Sequence, residues 1–242
     1  MGSVLNSNGS MSANLFVTGT DTGVGKTRVT RLIMRLLKAE GCSVMGMKPV
    51  AAGAELLGGR LVNEDALALL EEGSKWVPYE RINPVVFAQA VSPNIAASDS
   101  EAQDYETIVM ENFKWLGCHA DSIIVEGAGG WLTPISATMS VRELALSLEL
   151  PVLMVVGLKL GCINQARLTW DAIGASGCRS VGWVANHLEE KLFRVNDVID
   201  TISQQIGLKP LFEIPYDPGG SFSLPEASSA RDIAAILRQN AP

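Results

Sequence analysis

Apolar residues along this 242-residue chain fall into two patterns that alternate from one end to the other. Short runs rich in Val, Ile, Leu and Met cover residues 15–17, 43–47, 121–126, 152–157 and 181–186, with a last one at 210–214. Their length and composition predict strands buried on both faces. Between them apolar positions recur every three or four residues. Val29, Leu32, Ile33, Leu36 and Leu37 make one such stripe, with Arg28, Arg31, Arg35 and Lys38 on the other face until Gly41 ends it. The same spacing predicts helices over 63–70, 105–116, 141–148, 165–175, 192–206 and 229–239. Strands that alternate with helices predict the α/β class, a mainly parallel sheet covered by helices on both faces.

Two stretches carry neither period and read as loops. Residues 54–63 contain a Gly pair, and residues 79–100 contain Asn83, Pro84, Pro93 and Asn94 around a short apolar patch, the kind of loop that shapes a pocket. Residues 1–10, rich in Ser, Asn and Gly ahead of Met11, read as a disordered leader or expression remnant, which leaves residues 11–242 as one domain. A 47% hydrophobic, 19% charged composition suits a well-buried core, and a net charge of −7 argues against nucleic-acid or anionic-membrane partners. Cys42, Cys118, Cys162 and Cys178 form no C-x-x-C pair, and the two histidines, His119 and His187, stand far apart, so neither a zinc site nor a Cys-His nucleophile is expected. With no membrane-length apolar run and no signal-peptide pattern, the expectation is a soluble, cytoplasmic protein with small-molecule partners.

Chemistry concentrates at the first strand-to-helix turn, Gly19-Thr20-Asp21-Thr22-Gly23-Val24-Gly25-Lys26-Thr27. Gly and Thr let successive backbone N–H groups face one point, and the helix that starts near Gly25 adds the positive end of its dipole, so the turn is a cradle for phosphate. Lys26 would reach terminal phosphates and the Thr27 hydroxyl would ligate Mg2+. Gly19 stands one position before the first glycine of the G-x-x-x-x-G-K-[ST] pattern, so this is a variant P-loop and the fold is expected to be P-loop NTPase-like.

Three further strand ends carry polar groups. Lys48 follows the second strand and precedes Pro49, at the sheet edge where open α/β folds bind ligands. Glu126 ends an apolar strand ahead of Gly127-Ala128-Gly129-Gly130, where a carboxylate needs a cation, a water or a metal. Asn186 ends another strand with an amide that could read the edge of a base. Asp65, in the first turn of a short helix, suits the helix dipole or a metal equally well.

Taken in order, the P-loop variant, Lys48-Pro49-Val50-Ala51, Asp65-Ala66-Leu67-Ala68-Leu69, Val125 to Trp131, Val156 to Asn164 and Trp183-Val184-Ala185-Asn186 resemble the dethiobiotin synthetase family. The resemblance runs from about Asn14 to Pro215. It implies a ligase of biotin biosynthesis that converts diaminopelargonic acid, CO2 and ATP, with Mg2+, into dethiobiotin, ADP and phosphate. It implies catalytic roles for Lys48, Lys26 and Thr22, and metal binding by Thr27, Asp65 and Glu126. It implies ATP binding by Gly23, Val24, Gly25, Lys26, Thr27, Arg28, Glu126, Gly127, Ala128, Gly129, Asn186, Pro215 and Tyr216. Substrate would be held by Thr22, Lys48, Ala52, Gly161, Cys162, Ile163 and Asn164, the last four from a neighbouring subunit of a homodimer. Ala52 departs from a hydroxyl residue, and Gly23 from an acidic one, found in other members. A cobyrinic-acid amidase-synthetase would need a glutamine amidotransferase part that this chain lacks, and a ParA- or MinD-like switch ATPase would carry a second lysine where Asp21 stands.

Overall fold

The computed structural model describes residues 13–97, 104–218 and 235. Six strands form one parallel sheet: β1 (Leu15–Gly19), β2 (Val44–Met47), β7 (Ser122–Glu126), β8 (Val152–Leu158), β9 (Ser180–His187) and β10 (Glu213–Ile214), in spatial order β10-β9-β8-β1-β7-β2. Every residue of β1, β2, β7 and β8 is buried, which requires cover on both faces. α1 (Lys26–Ala39) packs on β1, β2 and β7, burying Val29, Leu32, Ile33, Leu36 and Leu37, each contributing roughly 1.5–3 kcal/mol. α5 (Tyr105–Gly117) lies against β7, and α7 (Cys162–Ala175) against β8 and α8 (Val195–Ile206).

The α/β class and the parallel sheet expected from the sequence are present. The loop expected at 54–63 is instead an antiparallel hairpin, β4 (Glu55–Leu57) and β5 (Arg60–Val62). Its corner is Gly58-Gly59, with φ +60° and +83°, the positive pair that a tight two-residue hairpin turn needs. The hairpin is largely exposed, so no inward-outward alternation marks it in the sequence. Of the loop expected at 79–100, residues 98–100 lie outside the described residues; 79–97 holds two single-turn helices, α3 (Tyr79–Ile82) and α4 (Pro93–Ala96), and β6 (Val85–Val86), which pairs in parallel with β3 (Val50–Ala51). α2 (Glu64–Glu72) and α6 (Val141–Ser147) lie where the periodicity predicts them.

Three boundaries shift. α7 begins at Cys162 rather than 165, because Gly161 at φ +93° turns the chain straight from the β8 edge into the helix. α8 begins at Val195 rather than 192, after Arg194 in the left-handed region. β10 keeps only Glu213–Ile214 of the predicted strand, paired with Ala185 and Asn186. The leader at 1–10 lies outside the described residues, as does the helix at 229–239 apart from residue 235.

Candidate active site

β1, β7 and β2 are neighbours in the sheet, and their carboxyl ends deliver the phosphate loop, Glu126 and Lys48 to one place. Gly25 caps α1 with φ +89°, and a Cβ there would fall 2.1 Å from Asn186 Nδ2. Only glycine fits that close approach. Asn186 Nδ2 donates to the Val24 carbonyl at 2.9 Å and its Oδ1 accepts from Arg28 at 3.3 Å, so the end of β9 buttresses the loop. Pro215 and Tyr216 follow β10 directly, exposed, one strand over from Asn186.

Lys26, Thr27, Lys48, Asp65 and Glu126 form one cluster. Lys48 Nζ donates to Glu126 Oε1 at 2.6 Å and to Asp65 Oδ2 at 2.8 Å. Thr27 Oγ1 lies 2.7 Å from Asp65 Oδ1 and 3.0 Å from Glu126 Oε1. Lys26 Nζ donates to the Asp21 carbonyl at 2.9 Å, folded back over its own loop. Burial works against the Lys48 charge, but Glu126 and Asp65 outweigh it and raise the pKa. Burial pushes the Asp65 carboxyl up, and Lys48 with the Thr27 hydroxyl brings it below its ordinary range. Lys26 has no such partner at its tip, and burial together with the nearby Lys48 charge brings it down to about 8.

A hydrogen-bond relay fixes Lys48 relative to α2. The Asn63 N–H donates to Tyr79 Oη at 2.8 Å, Tyr79 Oη donates to Asn83 Oδ1 at 2.8 Å, and Asn83 Nδ2 donates to the Lys48 carbonyl at 2.7 Å. Asn63 also caps α2, whose first turn presents Asp65. Sequence reading treats Asn83 only as a loop former; its place before Pro84 offers no hint that its amide is buried.

The donor set suits Mg2+. One oxygen of the fully buried Glu126, Oε2, finds no hydrogen-bond partner among the described residues, although a buried carboxylate oxygen demands one. No group of three His, Cys, Asp or Glu that would cage a metal occurs among the described residues. Two carboxylates and a hydroxyl beside a phosphate loop are instead what Mg2+ uses when phosphates and water complete its shell.

Beside the cluster opens a cavity of about 550 Å³ lined by Thr22, Lys48, Ala52, Asp65, Ala128 and Gly129, with Ala90 to Pro93 along its rim. Residues 90–93 of the segment expected to shape a pocket thus do line one. Gly161, Cys162, Ile163 and Asn164 are not part of it. They line a separate hollow of about 630 Å³ beside Leu192 and Phe193, where Leu160 and Phe193 stand 96% and 86% exposed. No helix among the described residues is long and apolar enough to cross a membrane.

Comparison with known proteins gives the family and the fold. A family model described as an AAA domain matches residues 13–221. The ATP-dependent dethiobiotin synthetase BioD of Xylella fastidiosa (strain M12) is 40% identical over 211 residues, 87% of this chain and 93% of that protein. That of Xanthomonas oryzae pv. oryzae (strain PXO99A) is 39% identical over 203 residues, 84% of this chain and 91% of that protein. Among solved structures, a ParA family ATPase from Chlorobium tepidum TLS superposes with a TM-score of 0.53 at 16% identity, over 94% of this chain and 92% of that one. The septum site-determining protein MinD from Pyrococcus horikoshii OT3, complexed with Mg-ADP, superposes with a TM-score of 0.53 at 17% identity, over 94% and 95%. These two likenesses are of fold, a P-loop NTPase-like one. The extent and level of identity to the curated relatives decide the rest: the chain belongs to the ATP-dependent dethiobiotin synthetase family.

Proposed function

We propose that this chain catalyses ATP-dependent closure of diaminopelargonic acid and CO2 into dethiobiotin, a C–N ligase step of biotin biosynthesis. The observation that carries the reading is the cluster of Lys26, Thr27, Lys48, Asp65 and Glu126, of which Lys48 and Asp65 line the Thr22–Ala52 cavity, in a chain of this family. One amine takes up CO2 as a carbamate, and a carbamate oxygen attacks the γ-phosphorus with departure of ADP. The second amine then attacks the carbonyl carbon, phosphate leaves, and the ring amine gives up its proton. Negative charge grows and moves throughout, so the protein must supply fixed cations rather than a nucleophile.

The phosphate loop from Gly23 to Thr27, with Arg28 behind it, would hold the triphosphate, and Lys26 would swing from the Asp21 carbonyl to the phosphates. Lys48, fixed by the relay through Asn83, would stabilise the carbamate and the transferring oxygens. Thr22 would contact the reacting groups. Thr27, Asp65 and Glu126 would hold Mg2+, which when bound supplies charge neutralisation at the phosphates. Gly127, Ala128 and Gly129 would bring backbone close to the nucleotide, and Asn186 would exchange its bonds to Val24 and Arg28 for adenine, with Pro215 and Tyr216 beside it. Ala52, lacking a hydroxyl, leaves that side of the substrate to water or backbone. Gly161 to Asn164 sit apart from Lys48, which supports their serving the substrate tail of a neighbouring subunit in a homodimer. The cytoplasm is the compartment proposed for this work.

The test is phosphate release from Mg-ATP with bicarbonate, with and without diaminopelargonic acid, while the organic product is followed by mass. Diamine-dependent release with dethiobiotin formed in step is the expected result. Release indifferent to the diamine, with no cyclic urea, would overturn the assignment.

A further inference from the structure

Asp21 is an unusual residue to meet inside a loop that must surround phosphate, because a carboxylate there repels the ligand unless something neutralises it. Its contacts reach well beyond its own turn. Oδ1 accepts the Thr22 N–H at 2.7 Å, and Oδ2 accepts Gln165 Nε2 at 3.2 Å and faces Lys159 Nζ at 3.5 Å. Its carbonyl meanwhile holds Lys26 Nζ at 2.9 Å. Lys159 follows β8, and Gln165 lies in the first turn of α7. β1 and β8 are paired neighbours, with Thr20 N–H still bonded to the Val155 carbonyl at 3.0 Å. Beyond that bond the two chains separate at the sheet edge, and the Asp21 side chain rejoins them.

We propose that Asp21 is a positioning residue that ties the phosphate loop to the amino-terminal end of α7, with Lys159 neutralising it so that the tie does not weaken ATP binding. The inference rests on the reaction assigned above and extends it. On one side of the tie, the Thr22 amide is held at the wall of the cavity that Lys48 lines. On the other, the segment from Gly161 to Asn164 enters α7 within one turn of Gln165. The two proposed substrate-holding elements are therefore set relative to each other by one carboxylate. The Thr22 N–H bond keeps that carboxyl below its ordinary range; burial opposes it, Lys159 and Gln165 add lesser lowering effects, and the carboxylate remains charged at working pH. The alternative role is a local turn, in which Asp21 serves Thr22 and nothing else.

Asp21→Asn separates the two, because an asparagine oxygen still accepts the Thr22 N–H while its NH2 group can offer nothing to the Lys159 cation. Kinetics with diaminopelargonic acid and direct titration with ATP, both with Mg2+, are compared for the wild type, Asp21→Asn, Lys159→Met and the double variant. The tie predicts a diamine KM raised about fivefold or more in both single variants. ATP affinity moves in opposite directions: unchanged to about threefold tighter in Asp21→Asn, about threefold weaker in Lys159→Met, and back near wild type in the double variant. A diamine KM within about twofold of wild type in Asp21→Asn overturns the tie in favour of the local turn. Weakened ATP binding in Asp21→Asn overturns it too, since general collapse of the loop acts on nucleotide first. Wild-type enzyme that forms no cyclic urea sinks the assigned reaction instead, and the opposed ATP shifts then still decide whether Lys159 neutralises Asp21.

Discussion

Lys48→Met tests the centre of the site, because the side chain it removes is the cation between two carboxylates. Lys48 and Glu126 side chains are 6% and 0% exposed and their charged atoms lie 2.6 Å apart, so the variant strands a buried carboxylate. Breaking a buried pair in this way costs about 3–5 kcal/mol, a large part of a total stability of roughly 5–15 kcal/mol. Asp65, with its side chain 41% exposed, is screened by water and adds little to that figure. The deficit depends on pH. Because the folded Lys48 pKa is raised, its contribution is full below the ordinary lysine range and is lost as pH rises through the higher folded value. Because the folded Asp65 pKa is lowered, its contribution is full above the ordinary carboxylate range and is lost as pH falls through the lower folded value. The difference between wild type and Lys48→Met is therefore full near neutral pH and shrinks only below the ordinary carboxylate range, as pH falls through the lowered folded Asp65 value. Urea unfolding at pH 8, 6 and about 3 measures it as a lower midpoint with an unchanged slope. Turnover should fall about 10³-fold or more with ATP affinity nearly kept, since Lys48 acts on charge that develops in the transition state. Equal midpoints at pH 8, or near-normal turnover, would refute the reasoning.

Other changes address the loop and the frame. Gly25→Ala should lose nucleotide binding and about 2–4 kcal/mol of stability, from left-handed backbone strain and displacement of the Asn186 amide. Gly23→Ala, with φ +72° and open space around its Cβ, should cost only the strain, about 1 kcal/mol, and thermal unfolding of the two variants makes the comparison. Lys26 sits at about 8 in the free protein, and phosphate favours its charged form, so ATP affinity should decline by up to about tenfold per pH unit above that value in titrations from pH 7 to 9.5. Glu72 receives Arg35 and Lys38 at 2.8 and 2.7 Å, so Glu72→Gln should destabilise by about 1–3 kcal/mol while leaving kinetics unchanged. Its folded pKa is lowered, so that loss is full above the ordinary carboxylate range and vanishes only as pH falls below it through the lowered folded value, which denaturation at pH 7 and about 3 checks.

The phosphate loop, the strand-end residues Lys48 and Glu126, and the alternation that makes a parallel sheet were legible because each depends on neighbours within a few positions. A buried run followed by Gly-Lys-Thr means the same thing wherever the strand lands in the sheet. The hairpin at Glu55–Val62 was missed because it is exposed and lacks alternation, although the Gly58-Gly59 corner was its signal. For Asn83 no local signal existed, since its role comes from contacts with Tyr79 and Lys48 set by α3 and β2.

The sequence by itself determined which elements form and which residue types stand at their ends, through hydrophobic period, glycine freedom and the cost of leaving a carboxylate dry. Only the tertiary structure decided which ends meet. Strand order placed β1 between β8 and β7, with β2 beyond, and so put Asp21 beside Lys159 and Lys48 between Asp65 and Glu126. Periodicity records the environment of one segment, whereas hydrogen bonds and ion pairs over a few ångströms join residues as far apart as Asp21 and Gln165, which no local pattern encodes.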